Sequence, residues 1–140
     1  MAQSSTPAER GHNAPLSNRD FDFFYLGLEA GELLVQKCDG CGRLRNPPSP
    51  CCPYCRSFAW QGKALAGTGR VHSYVIHYHP PLPGFATPHP VAVATMDEGI
   101  RLVGAMDGTA IEDMAIDAPV TIELVRRGEA AAFRFRRSDR

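Results

Sequence analysis

Five cysteines, at positions 38, 41, 51, 52 and 55, crowd into 18 of the chain's 140 positions, and none occurs elsewhere. A disulfide framework spreads its bridges across a secreted fold, whereas clustered cysteines in a chain without a secretory signal point to a metal site in a reducing compartment. Within the cluster, Cys38-Asp-Gly-Cys41 is followed by Cys52-Pro-Tyr-Cys55. Each CxxC can set two sulfurs on one ion through a tight knuckle, and two knuckles complete a tetrahedron of thiolates suited to zinc. Iron is the competing ion, because an all-thiolate site accepts either metal. Gly40 and Gly42 relax the backbone at the first knuckle. Four protein ligands leave no position for water or substrate, so the site is structural rather than catalytic. The segment around it is too small to build its own core, and loss of the metal should unfold it. Cys51 could replace Cys52 as a ligand. Cys52 is assigned because it repeats the geometry of the first knuckle, which leaves Cys51 a spare thiol.

A chain of 140 residues can bury one main core. Its 13 glycines and 12 prolines favour turns and short strands over long helices, which argues against a helical bundle. Residues 1–18 are rich in Ser, Pro, Ala and Asn, lack the apolar run of a signal peptide, and read as a disordered arm. No stretch approaches the roughly 18 apolar residues of a membrane-spanning helix, so a cytoplasmic protein without a membrane partner is expected. Phe21, Phe24, Tyr25 and Leu28 fall on one helical face and predict a short amphipathic helix ending near Gly31. The stripe is read as a packing surface, with partner docking or self-association as its alternative uses. Residues 33–36 then make a short strand running into Cys38, and Pro47, Pro48, Pro50 and Pro53 exclude regular helix from the segment that follows.

From Gly67 onward the pattern becomes short β runs with turn punctuation. Residues 70–78 alternate Val71, Ser73, Val75 and His77 against His72, Tyr74, Ile76 and Tyr78, which suits a long first strand. The proline-rich stretch 79–90 lacks ladder donors and is expected to be a loop throughout. Strands at 91–96 and 100–106 flank the turn Asp97-Glu98-Gly99, and strands at 120–126 and 131–136 flank Arg127-Gly128-Glu129. Residues 110–117 can supply one helical turn between the hairpins. The predicted fold is mainly β: an N-terminal helix, a zinc ribbon and a five-stranded OB-fold barrel. The chain thus divides into an arm (1–18), helix and strand (19–36), ribbon (37–62), barrel (63–137) and tail (138–140).

The formal net charge is zero, so no whole-molecule field draws the chain to nucleic acid or membrane. The distribution is uneven, with −6 over residues 91–123 and +4 over 124–140. Each arginine taken singly reads as solvated surface. As a group, Arg43, Arg45 and Arg56 in the ribbon with Arg126 and Arg134 in the barrel could form a phosphate-binding surface where the two modules meet. His77 and His79 share a strand face without a local acidic residue and read as ordinary strand and loop histidines. No Gly-rich phosphate loop, GxSxG elbow, paired catalytic carboxylates or HExxH occurs, and no catalytic residue is assigned.

An aromatic helix, Cys38-x-x-Cys41-Gly42, Pro47-Pro48, Cys52-Pro53-x-Cys55, Trp60, and Gly67-Thr-Gly-Arg-Val-His-Ser-Tyr74 before a small barrel together resemble the DUF35 family. Its members join a rubredoxin-like zinc ribbon to an OB-fold, and the likeness covers about residues 20–136. Cys51 is an addition to that pattern, and Asp117-Ala118 stands where an apolar residue and Gly are expected. The resemblance implies a non-catalytic accessory subunit that binds acyl-CoA or bridges a thiolase-like enzyme, such as a lipid-transfer-protein-type aldolase. The arginines named above would then meet the phosphates of a CoA thioester. The competing class is a single-stranded nucleic-acid binder, with Tyr74, Tyr78 and Phe85 stacking bases. Zero net charge and strands 91–96 and 100–106, with one basic residue and no aromatic between them, weigh against it.

Overall fold

The computed structural model describes residues 19–138; the expected N-terminal arm and the last two residues of the tail lie outside them. The elements run α1 (Asp22–Glu29), β1 (Leu34–Cys38), β2 (Leu44–Arg45), β3 (Trp60–Ala64), β4 (Thr68–His77), β5 (His89–Met96), β6 (Arg101–Ala105), a 3-10 turn (Ile111–Asp113), β7 (Pro119–Arg127) and β8 (Ala130–Arg137). Two sheets result. The first has the order β2-β1-β3, and the second closes into a barrel of order β4-β5-β6-β8-β7. Closure leaves the barrel with no free edge, and the pairs β5–β6 and β7–β8 are the two expected hairpins. The ribbon sheet runs as far as Ala64, and the barrel begins at Thr68.

Helix α1 joins the two sheets. Asp22 in its first turn suits the positive end of the helix dipole, and the N–H of Gly31 bonds the Leu28 carbonyl where the helix closes. Leu28 is buried, and Phe24 and Tyr25 pack against the core, with Phe24 edge-on to Phe133 of β8 at 6.1 Å. Phe23, off that stripe, meets Trp60 of β3 at 4.6 Å. The stripe is therefore spent on packing within the chain, and Leu26 stays exposed. One apolar cluster runs from Leu28, Leu33 and Val35 through Val71, Ala94, Met96, Leu102 and Val120 to Phe135. Phe135 is fully buried, a contribution of about 2–3 kcal/mol from the removal of its ring from water.

Two strand expectations need correction. The alternation read along residues 70–78 breaks at a bulge between Val71 and Ser73. Val71 lies opposite Ala94, but after the extra residue it is Tyr74 and Ile76 that lie opposite Ala92 and Pro90. An inserted residue exchanges the two faces of everything beyond it, so Val75 is turned outward and exposed. The second correction concerns the loop, which ends before His89, the first residue of β5, rather than after Pro90. Pro90 pairs with Ile76, and its carbonyl accepts the N–H of Met106 at 2.8 Å, so the ladder uses the one group proline retains. Asp117, at φ 63, sits in the left-handed region; its N–H bonds Val71 O at 2.8 Å and its carbonyl accepts from Arg70. Behind it Ala118 is buried.

Candidate metal centre and the ribbon–barrel cleft

The two knuckles are built alike. In the first, the N–H of Gly42 bonds Cys38 O and the N–H of Cys38 bonds Arg43 O, both at 2.9 Å. In the second, the N–H of Arg56 bonds Cys52 O at 3.0 Å and the N–H of Cys52 bonds Ser57 O at 2.9 Å. The residue after the second cysteine takes a positive φ in both, 77° at Gly42 and 65° at Arg56. Gly40 serves a different purpose. A Cβ there would stand 3.0 Å from Cys55 Sγ and from the Ser57 side chain, so its missing side chain lets the knuckles close on each other.

The sulfurs of Cys38, Cys41, Cys52 and Cys55 all lie within 4.8 Å of one another, with Cys38 to Cys55 at 3.4 Å and Cys41 to Cys52 at 3.7 Å. A zinc ion at tetrahedral geometry separates its thiolates by about 3.8 Å, so the four fit a single ion. Cys38 and Cys52 are buried and Cys41 and Cys55 exposed, which places the site at the surface with one sulfur of each knuckle facing in. The backbone N–H groups of Cys55 and Tyr54 pull the Cys52 thiol down to about 6. At Cys55 the Ser57 N–H also pulls down, but the crowding thiols of Cys38, Cys41 and Cys52 push it up to about 11. Four sulfurs at such spacing cannot all ionise unless a cation neutralises them. Cys51 is outside the group; its Sγ donates to Cys52 O at 3.6 Å.

The five arginines singled out from sequence do not converge. Arg126 pairs with Glu29 at 2.8 Å on the surface. Arg134 pairs with Glu123 at 3.1 Å and with Asp107 at 3.5 Å. Burial would raise the Asp107 carboxyl, but Arg127, bonded to it at 2.9 Å, and Arg134 hold it below the ordinary carboxylate range. Arg56 occupies the exposed corner of the second knuckle. Only Arg43 and Arg45 share a location, a cleft of about 840 Å³ between the ribbon and the β5–β6 turn. Arg43 stacks on the exposed ring of Tyr54, 4.0 Å from its centroid. Arg45 is buried and donates through Nε to Gln36 Oε1 at 2.9 Å and through Nη2 to Ser49 O at 3.1 Å. The opposite wall is Glu98 and Arg101, tied to the ribbon by Asn46 Nδ2 donating to Arg101 O at 3.1 Å. Sequence reasoning missed Arg101 and Glu98, because they sit in a hairpin whose only legible signal was its turn.

The histidines are dispersed in their contacts: His77 Nε2 meets the Pro80 carbonyl, and His89 stacks on Phe85 at 4.2 Å. On the outer barrel face, Val75 pairs with Val91 and Val93 with Val103, and Val75 and Val103 are exposed; Arg101, two residues along β6 from Val103, and Arg70 are exposed on the same face.

Residues 27–61 match the family model of the ChsH2 rubredoxin-like zinc ribbon domain, and residues 62–125 that of the ChsH2 C-terminal OB-fold domain. A DUF35 domain-containing scaffold protein of Pyrococcus furiosus is 31% identical over 101 residues, 71% of each chain. The chain belongs to the DUF35 family. A solved structure described as an Ltp2-ChsH2(DUF35) aldolase superposes with a TM-score of 0.84 at 38% identity, covering 89% of this DUF35 chain and 98% of that one. A Thermomonospora curvata protein named "Probable enoyl-CoA hydratase alpha subunit" is 42% identical over 109 residues, 78% of this chain. The DUF35 chain spans 34% of that relative's length. No helix among the described residues is long and apolar enough to cross a membrane.

Proposed function

We propose that this chain is a non-catalytic, cytoplasmic accessory subunit that docks on a thiolase-like enzyme of acyl-CoA metabolism and helps present the CoA thioester to it. The observation that carries the reading is the likeness, over 89% of this chain, to a solved chain described as an Ltp2-ChsH2(DUF35) aldolase. The likeness to a scaffold protein and to a CoA hydratase alpha subunit supports the same class. In this reading Cys38, Cys41, Cys52 and Cys55 hold zinc. The metal's part is architectural, because a closed set of four thiolates has no place for substrate. The ribbon (37–62) and barrel (63–137) act as two modules of one docking body, and the reacting groups belong to the partner. The exposed Val75 and Val103 on the outer barrel face suit a protein surface.

The test is co-purification of the untagged complex from the source cells with antibody to this chain, identifying bound protein and nucleic acid together. A thiolase-fold enzyme is the expected partner. RNA or DNA recovered without such an enzyme would overturn the reading.

A further inference from the structure

Residues 79–88 lead from β4 back to β5, and a single side chain among them is not exposed, that of Phe85. A turn aims it at the barrel. The N–H of Phe85 bonds the Leu82 carbonyl at 3.1 Å across Pro83 and Gly84, and Gly84 takes φ 83°, so proline in the second and glycine in the third position serve a type II geometry. Phe85 then meets two partners. The His89 ring stands 4.2 Å from it, and the Arg127 guanidinium lies over it at 4.5 Å from its centroid. Nearer β4, His77 Nε2 meets the Pro80 carbonyl.

His89 is the residue that this segment hides. In β5 the outward side chains Val91, Val93 and Thr95 are half-buried and alternate with buried Ala92, Ala94 and Met96. His89 falls in the outward phase yet is 3% exposed, so its burial comes from the segment folded over it and not from the barrel interior. Its Nδ1 has no partner there. Charged and titratable groups face it from the neighbouring elements: His77 on β4, Asp107 after β6 and Arg127 on β7, with Arg134 of β8 paired to Asp107. Asp107 favours a proton on His89 but is already bonded by Arg127 at 2.9 Å and by Arg134 at 3.5 Å. Burial, Arg127 and His77 oppose that proton and hold the imidazole below its ordinary range. A charged ring needs water, and the part of the structure that can yield to admit it is the irregular segment anchored at Phe85. Protonation of His77 has no such effect, since an imidazolium Nε2–H still donates to the Pro80 carbonyl.

We propose that residues 79–88 form an acid-released strap, closed over His89 while its imidazole is neutral and opened when the imidazole takes a proton. Opening adds the paired His77 and His89 to the outer face that already exposes Val75 and Val103, and it frees the Phe85 ring. Only the use of that enlarged face by a partner enzyme rests on the functional reading above; the strap itself does not.

Chymotrypsin cleavage after Phe85 reads the opening, because the protease must take that ring into its own apolar slot. The rate on the metal-loaded chain at pH 7.5 and at pH 5.5 is divided by the rate on a free peptide of residues 78–90 at the same pH. The ratio should rise about five- to tenfold in acid, tenfold being the limit for one proton taken up near the ordinary 6.5, while β5 and β6 stay uncut. His89→Leu should abolish the rise, and His77→Gln should keep it. A flat ratio, a rise that survives in His89→Leu or is lost in His77→Gln, or strands cut in step with the strap would overturn the proposal. Capture of a thiolase-fold enzyme by a chain whose strap stays shut in acid would sink this inference alone and leave the accessory-subunit reading standing.

Discussion

In the barrel, Val71, Val120 and Phe135 are buried to 1% exposure or less, and every strand has a neighbour on both sides. In the ribbon sheet, β3 is exposed from Gln61 to Ala64, and the buried side chains at the knuckles are Cys38 and Cys52. The barrel thus rests on apolar burial and a closed ladder, while the ribbon tip offers four sulfurs and little else. What an apolar core does for one module, a metal must do for the other. Helix α1 spans the difference, with Phe24 on the barrel at Phe133 and Phe23 on the ribbon at Trp60.

The most forceful way to break this contrast is Cys52→Ser. Removing one of four thiolates should abolish metal retention, on the order of 10 kcal/mol of binding free energy that also folds the knuckles. Metal analysis checks the loss, and Trp60, the single tryptophan, reports it by a red shift in emission as the ribbon loosens against Phe23. The barrel should keep its unfolding transition. Phe135→Ala is the converse experiment. It opens a cavity in the barrel and should cost about 3–5 kcal/mol in denaturant unfolding, with one metal ion per chain still bound.

A smaller effect sharpens the barrel side. His89 is buried with Nδ1 unpartnered, and burial lowers its pKa below the ordinary 6.5, with Asp107 opposing and Arg127 and His77 assisting. The unfolded imidazole therefore takes its proton near pH 6.5, and the folded one only at lower pH. Protons then favour the unfolded chain, so this contribution is fully present above about pH 6.5 and drains as pH falls toward the folded value. Urea unfolding between pH 7.5 and 5.5 should show the decline, and His89→Leu should flatten it.

Much of this contrast was legible before coordinates. The paired CxxC spacing placed both knuckles because a tetrathiolate site is set by local chain geometry, and the strands at 91–96, 100–106, 120–126 and 131–136 fell within two residues of the observed ones. Aromatic spacing also placed α1 and the face it packs. The failures have a common cause. The bulge at His72 and the pairing of Pro90 depend on which strand lies alongside, and period-2 patterning carries no such information. The arginines were sorted by sequence into one surface, whereas the fold sends Arg126 and Arg134 to carboxylates distant in sequence and brings Arg101 to Arg43. Charge pairing of this kind is a property of the tertiary structure alone.

Hydrogen–deuterium exchange on the metal-loaded and chelator-treated chain tests the division most directly. Amides across residues 38–58 should lose protection on chelation, while those of β5, β6 and β8 keep theirs. A knuckle region that stays protected without metal, or a barrel that opens together with it, would contradict the view that the two modules are held by different forces.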